Sequence, residues 1–123
     1  MTKDTIAVHR IYEDPDGAVG YRVLVDRLWP RGLAKERVRL DAWLKDLAPS
    51  SELRRWYGHK PARWPEFQRR YRDELAEPAR QEQLAALVQR ARSGTVTLLC
   101  GAKDAAHSQA EVIRAVLEER LRG

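Results

Sequence analysis

A carboxylate and two guanidinium groups directly follow an apolar run in residues 23–32 (VLVDRLWPRG), at Asp26, Arg27 and Arg31. Such groups are costly to desolvate at the end of a buried strand unless they pair with one another or face a ligand. Arginine holds a phosphate or carboxylate through two parallel hydrogen bonds. The pattern therefore predicts the rim of an anion-binding site, in which Asp26 orients an arginine.

A second group of reactive side chains follows the apolar run of residues 95–100. Cys100 ends that run, and Lys103, Asp104 and His107 come shortly after it. Cys100 would be a nucleophile if Lys103 or His107 lowered its pKa, although a cysteine at such a position is more often part of the core. Asp104 and His107 are candidates for proton transfer, or for stabilising the start of the next helix.

Residues 45–59 offer further binding groups. A helix that begins near Ser50 and Ser51 would present free backbone N–H groups to an anion, and Lys45 would add charge nearby. The alternatives are a simple helix cap and a surface lysine. Trp56 and His59 would form an aromatic wall that stacks on a planar ligand, or would only pack two helices together.

Metal and cofactor signatures are missing from the sequence. His9, His59, His107 and Cys100 do not have the spacing of zinc ligands. There is no phosphate-binding P-loop, dinucleotide glycine fingerprint or nucleophile elbow. We therefore expect neither a metal nor a cofactor.

The elements that would position these residues alternate between strands and helices. Apolar runs predict strands at residues 5–11, 21–25 and 95–100, with turn residues at 13–17, while residues 38–45 fit either a strand or a helix and favour a strand. Helices are predicted at residues 51–57 and from Pro61 to just before Pro78, the second with an aromatic stripe. A third helix runs from Pro78 to Gly94, and a fourth follows a capping box formed by Ser108 and Glu111.

Strands separated by helices indicate an α/β fold, here a single domain over residues 1–123 with a small, largely parallel sheet covered by helices on both faces. Ligands of open α/β sheets bind outside the carboxyl ends of the strands. Three segments that are distant in sequence would thus bring their polar residues to one edge. The ligand-binding candidates are Arg27, Trp29, Arg31, Gly32, Lys45, Ser50, Ser51, Trp56, His59 and Lys103, and the catalytic candidates are Asp26, Cys100, Asp104 and His107.

The composition indicates the charge of the partner and the cellular compartment to expect. The 123 residues carry a formal net charge of +5, which favours an anionic partner, although mixed charges on solvated helices explain much of it. With one cysteine the chain forms no internal disulfide, and we expect the cytoplasm. No apolar run approaches a signal-peptide core or the roughly 20 residues that span a bilayer, so no membrane association is expected.

Several tryptophan-containing strings resemble the small bacterial and archaeal YeaO-like proteins of the domain-of-unknown-function family 488. They occur at residues 25–32, 43–45 with 48–50, and 56–59. A matching string without tryptophan, at 97–100 with 102–104, extends the resemblance over almost the whole chain. The resemblance implies an α/β fold and no agreed activity. Members of the broader family have a second cysteine beside a histidine and an arginine, whereas this chain keeps only His107 of that group, which argues against a mechanism with two thiols.

The residues together predict a pocket for an anionic small molecule, such as a nucleotide or phosphorylated metabolite, and do not identify a reaction. One alternative is a nucleic-acid-binding module built on Trp56, Trp64 and the arginines at 54, 55, 63, 69, 70 and 72. Another is an interaction protein without a pocket, whose strand ends would bury one another in a closed network of ion pairs. The oligomeric state is not predicted.

Overall fold

The computed structural model describes residues 5–13, 17 and 20–123 of the chain. Within them, the strands are β1 (Ile6–Arg10), β2 (Tyr21–Leu24), β3 (Ala42–Trp43) and β4 (Val96–Cys100). The α-helices are α1 (Ser51–Tyr57), α2 (Trp64–Leu75), α3 (Pro78–Ser93) and α4 (Gln109–Arg122). Single turns of 3-10 helix lie at Lys35–Arg37, Lys45–Leu47, Pro61–Arg63 and Ala105–His107. Most of the turn predicted at 13–17 lies outside the described residues.

The strands form one sheet in the order β1-β4-β2-β3, and every described pair is parallel. In the register, Arg10 of β1 lies beside Cys100, and Leu24 of β2 lies beside Leu99. The segments that follow β2 and β4 therefore leave the sheet at the same edge. This confirms the α/β class and the parallel sheet that the sequence predicts.

The larger core lies between one face of the sheet and the four α-helices. Val23, Leu98 and Cys100 point into it from the strands and are fully buried. The aromatic stripe of α2 packs there as predicted, with Phe67 and Tyr71 buried. Tyr71 is also tied to the chain before α1, because its hydroxyl donates to the Leu47 carbonyl at 2.6 Å.

On the opposite face of the sheet, no α-helix of the described residues packs against the strands. The expectation of helices on both faces is therefore wrong in that detail. Leu24 and Leu99 point to this face, and they pack against Trp29, Trp43 and other apolar residues of the segment between β2 and β3. That segment contains only one turn of 3-10 helix. A short connection with large apolar side chains thus replaces the usual crossover helix.

The strand predicted at residues 38–45 forms, but its regular part is only Ala42–Trp43. Pairing with β2 begins at Asp41, whose side chain accepts from the Arg22 N–H at 2.8 Å. A 3-10 turn at Lys45–Leu47 then ends the strand. Lys45, the last residue of the predicted strand, therefore lies in this turn and not in the strand.

Helix caps were predicted with mixed success. Ser50 caps α1 by accepting from the Leu53 N–H at 3.1 Å, and Gly58 ends that helix with a left-handed φ of 54°. The capping box expected at the start of α4 does not form. The Ser108 hydroxyl donates to the Ala105 carbonyl at 2.8 Å, and Glu111 pairs with Arg114.

Candidate functional site

A cavity of about 670 Å³ opens at the carboxyl edge of the sheet. Its walls come from the segments after β2 and β4, the turn after β1, and parts of α1, α2 and the start of α4. Seven of the residues predicted from sequence line it: Asp26, Arg27, Trp29, Arg31, His59, Lys103 and His107. The parallel register explains this convergence, because it brings the residues after β2 and β4 to one edge.

Asp26 lies in the wall of this cavity with both carboxylate oxygens engaged. Oδ2 accepts from the Gly101 N–H at 2.8 Å, and Oδ1 accepts from the Gln109 amide at 2.6 Å. Burial raises the pKa of Asp26, although these two hydrogen bonds and the charges of Arg54 and His59 oppose the rise. The predicted pairing of Asp26 with an arginine is not found in the described structure. Asp26 instead joins the ends of β2 and β4 to α4.

Arg27 is held by backbone carbonyls rather than by a carboxylate. Its Nε donates to Pro49 at 3.2 Å and its Nη2 to Ala48 at 3.3 Å, both of which precede α1. No described carboxylate lies within 4.0 Å of its guanidinium. Arg27 therefore lends positive charge to the cavity while it fixes the chain before α1.

Three further cations line the cavity without a described acidic partner within 4.0 Å: Arg31, Arg54 and Lys103. All three are exposed. Asp26 is the one acidic side chain among the described lining residues, and its oxygens face Gly101 and Gln109. The cavity thus has a surplus of positive charge, which low-dielectric walls focus on its interior.

Asp104 and His107 form a pair at the rim. The Asp104 carboxylate lies 2.7 Å from His107 Nδ1, and the His107 ring meets Trp64 edge-on at 5.2 Å. The Tyr57 hydroxyl donates to the His107 carbonyl at 2.7 Å and holds the backbone in place. Only His107 of the pair lines the cavity. A carboxylate that orients an imidazole is suited to proton transfer, and equally to positioning a hydrogen-bond donor.

Cys100 does not line the cavity. Its side chain has no exposed surface and belongs to the larger core. Burial raises the pKa of the thiol, although a contact with the Ser108 hydroxyl at 3.7 Å opposes the rise. A nucleophilic thiol needs a lowered pKa and access to a substrate, so the structure places Cys100 as an apolar core residue.

The site predicted around Ser50 is filled from within the protein. The Glu74 carboxylate of α2 accepts from the Ser50 N–H at 2.8 Å and from its hydroxyl at 2.6 Å. Lys45 lies elsewhere, with its ammonium group 4.9 Å from the centre of the Trp43 ring. Ser50 and Lys45 are thus outside the cavity, together with Gly32 and Ser51.

The arginine and tryptophan surface is largely engaged in internal contacts. Arg69 and Arg70 both pair with Glu66, and Arg72 pairs with Glu119 at 2.8 Å. The guanidinium groups of Arg63 and Arg70 lie over the Trp56 ring, at 5.1 and 4.3 Å from its centre. Trp56 therefore does not line the cavity as the predicted aromatic wall.

Sequence reasoning missed several lining residues, among them Tyr12, Leu28, Arg54, Gly101 and Gln109. Gly101 and Gln109 directly flank residues that were considered, and the rule that ligands gather at strand ends could have found them. Arg54 lies one helical turn after Ser50, and its neighbours in the sequence favour a nucleic-acid surface instead. Leu28 lies between two candidates, Arg27 and Trp29, and the same rule could have found it, whereas Tyr12 has neither a periodic signal nor a candidate neighbour.

Among the described residues, no cluster of three or more histidine, cysteine or acidic side chains is arranged to hold a metal ion. None of the helices in this described part of the chain is both long enough and apolar enough to cross a membrane.

Fold and site together define a small α/β domain with a cation-lined cavity at the carboxyl edge of a parallel sheet. The chain belongs to the DUF488 family: the family model described as "Inactive DUF488-N3 subclade" matches residues 5–123. This confirms the resemblance seen in the sequence strings.

Several proteins similar to the chain carry names that describe them as uncharacterized. An uncharacterized protein of Mycobacterium tuberculosis is 43% identical over 121 residues, which cover 98% of this chain and 100% of that protein. A protein of Mycobacterium bovis matches to the same extent. The uncharacterized protein YeaO of Escherichia coli is 36% identical over 108 residues, 88% of this chain and 92% of its own length. No solved structure matches the chain.

Proposed function

We propose that the protein binds an anionic small molecule, such as a nucleotide or phosphorylated metabolite, in the cavity at the carboxyl edge of the sheet. The observation that carries the proposal is the convergence of Arg31, Arg54 and Lys103 on one cavity with no described carboxylate within 4.0 Å of them. Like charges gathered in a cleft repel one another, and a bound anion removes that repulsion.

Cations elsewhere on the surface indicate which feature of the cavity supports this interpretation. The arginines at 69, 70, 72, 80 and 114 all have glutamate partners. Exposed cations outside the cavity, such as Lys45 and Arg55, also have no described acidic partner within 4.0 Å, so the feature that supports the proposal is the gathering of several such cations in one cleft. Backbone carbonyls satisfy Arg27, so its charge adds to the field without being neutralised.

Binding without turnover fits the chain better than catalysis does. Its family model is described as inactive, the chain lacks the second cysteine of the broader family, and Cys100 is buried with a raised thiol pKa. Asp104 and His107 then serve as a positioned hydrogen-bonding pair at the rim.

The two alternatives have less support. The arginines assigned to a nucleic-acid surface are largely engaged with glutamates or with the Trp56 ring. A closed network of ion pairs would leave no cavity between Arg27, Lys45 and Lys103. Arg27 and Lys103 line a cavity, and Lys45 lies outside it.

Isothermal titration of the protein with inorganic pyrophosphate tests the proposal. Arg54→Ala and Lys103→Ala should each weaken binding by about tenfold, because each removes a charge-assisted contact. Lys45→Ala is a matched control, since Lys45 is an exposed lysine outside the cavity, and its affinity should stay within about twofold of the wild type.

Two results would refute the proposal. One is the absence of pyrophosphate binding at low salt, and the other is equal weakening by Lys45→Ala and Lys103→Ala, which would indicate a diffuse effect of net charge. A parallel anisotropy titration with a single-stranded oligonucleotide measures the nucleic-acid alternative. Steeply salt-dependent binding that Arg55→Ala weakens and Lys103→Ala does not would favour that alternative.

A further inference from the structure

The mouth of the cavity carries an unusual pair of apolar side chains. Leu28 is 63% exposed and Tyr12 is 40% exposed, and both line the cavity. In the rest of the described chain, every large apolar side chain is at least partly buried. Exposed apolar groups that gather at one cleft indicate a surface that another molecule covers.

Tyr12 is fixed in place beside the cations. Its hydroxyl donates to the Arg31 carbonyl at 2.8 Å, and the Arg10 guanidinium lies 5.5 Å from the centre of its ring. A Cβ atom added to Gly101 would lie 3.5 Å from Tyr12 Cε2, so the ring edge stands close over the cavity floor. An immobilised ring loses little further entropy when a ligand stacks on it.

The size of the cavity exceeds what an inorganic anion needs. At about 670 Å³ it falls within the range of roughly 300–1,000 Å³ that holds drug-sized ligands. Its cations account for the charged part of such a ligand. The remaining wall is rich in apolar and aromatic side chains, including Trp29 and Tyr57.

Building on the anion-binding function above, we propose that the ligand joins its anionic group to a flat aromatic ring, as a nucleoside monophosphate does. The ring lies against Tyr12 and Leu28, and the phosphate faces Arg31, Arg54 and Lys103. Every nucleobase has a face that stacks on an aromatic side chain, so Tyr12 selects for a planar ring and not for one particular base.

A ligand series tests this assignment by titration calorimetry: inorganic pyrophosphate, ribose 5-phosphate and the common ribonucleoside 5′-monophosphates. In the wild type, the tightest nucleoside monophosphate should bind about tenfold more tightly than ribose 5-phosphate, from stacking alone. Tyr12→Ala and Leu28→Ala should each reduce that ratio to less than about threefold, and because the ratio compares two phosphates in one variant, a loss of anion affinity shared by both ligands does not alter it. Tyr12→Phe keeps the ring and should keep most of the ratio.

The outcomes separate this inference from the function on which it rests. Equal affinity for ribose 5-phosphate and every nucleoside monophosphate would overturn the aromatic assignment while leaving anion binding intact. A ratio that survives in both alanine variants would also overturn it. If none of the probes binds, the proposed function fails, and this inference fails with it.

Discussion

The Asp26 carboxylate accepts a hydrogen bond from the Gly101 N–H at 2.8 Å, which ties the end of β2 to the end of β4. The two residues are far apart in sequence, and the parallel register makes them neighbours. Gly101 also lies close to the edge of the Tyr12 ring, so one backbone position is next to both the buried acid and the exposed aromatic ring of the cavity.

Gly101→Ala should destabilise the protein, because the new Cβ would lie 3.0 Å from Asp26 Oδ2. We expect a loss of about 1–2 kcal/mol in the free energy of unfolding, measured by urea denaturation. Gly94→Ala is the matched control: nothing lies within 4 Å of the added methyl group and the backbone there is extended, so that variant should be unchanged or slightly stabilised. Equal stability of the two variants would contradict the close packing at Gly101.

The buried carboxyl of Asp26 predicts a pH dependence of stability. Its pKa is raised in the folded protein, so the folded state holds this proton more tightly than the unfolded state does. Stability must then fall as the pH rises above the ordinary aspartate value of 3.8 and the buried group ionises. Asp26→Asn removes this ionisation. In urea denaturation, the free energy of unfolding of the wild type should fall relative to that of Asp26→Asn between that pH and neutrality. If it rises instead, folding lowers the pKa of Asp26 and the prediction is wrong.

Arg27→Ala should act mainly on the fold. It removes the contacts to the Ala48 and Pro49 carbonyls, and hydrogen bonds from a charged donor are worth about 1.5–3 kcal/mol at most when they are well formed. At the observed lengths, a loss of about 1–2 kcal/mol in the free energy of unfolding is expected. Arg31→Ala, at an exposed position in the same cavity, should change stability by less than about 0.5 kcal/mol. If denaturation shows equal effects, Arg27 has no structural role.

Cys100 should resist thiol reagents in the folded protein. The side chain is inaccessible, and its raised pKa keeps it protonated, so the reactive thiolate is scarce. Labelling with iodoacetamide in increasing urea should follow the unfolding transition measured by circular dichroism. Rapid stoichiometric labelling without urea would show instead that the thiol is accessible and activated.

Part of the site was predictable because strand ends follow from pattern alone. The apolar runs that became β2 and β4 fix where Asp26, Arg31 and Lys103 leave the sheet, and a parallel arrangement then brings them together. Short strands with a clear apolar pattern are thus enough to predict which residues lie at the edge of the cavity.

What the sequence could not supply depends on contacts between distant elements. Ser50 is a good helix cap in isolation, but only the fold shows that Glu74, on another helix, occupies its donors. Lys45 follows a strand as expected, and a 3-10 turn takes it away from the cavity towards Trp43. Tyr12 and Leu28 have no periodic signal, since their importance comes from exposure at one place in the fold.

The most direct test of the central claim is an NMR titration of the ¹⁵N-labelled protein with inorganic pyrophosphate, which locates the bound anion residue by residue. The account predicts that the backbone amides of Arg31, Gly101, Lys103 and Gln109 shift together along one saturation curve, while those of Lys45 stay in place. Shifts centred on Lys45 or on the arginines of α2, or no saturable shift at all, would contradict the assignment of the cavity as an anion site.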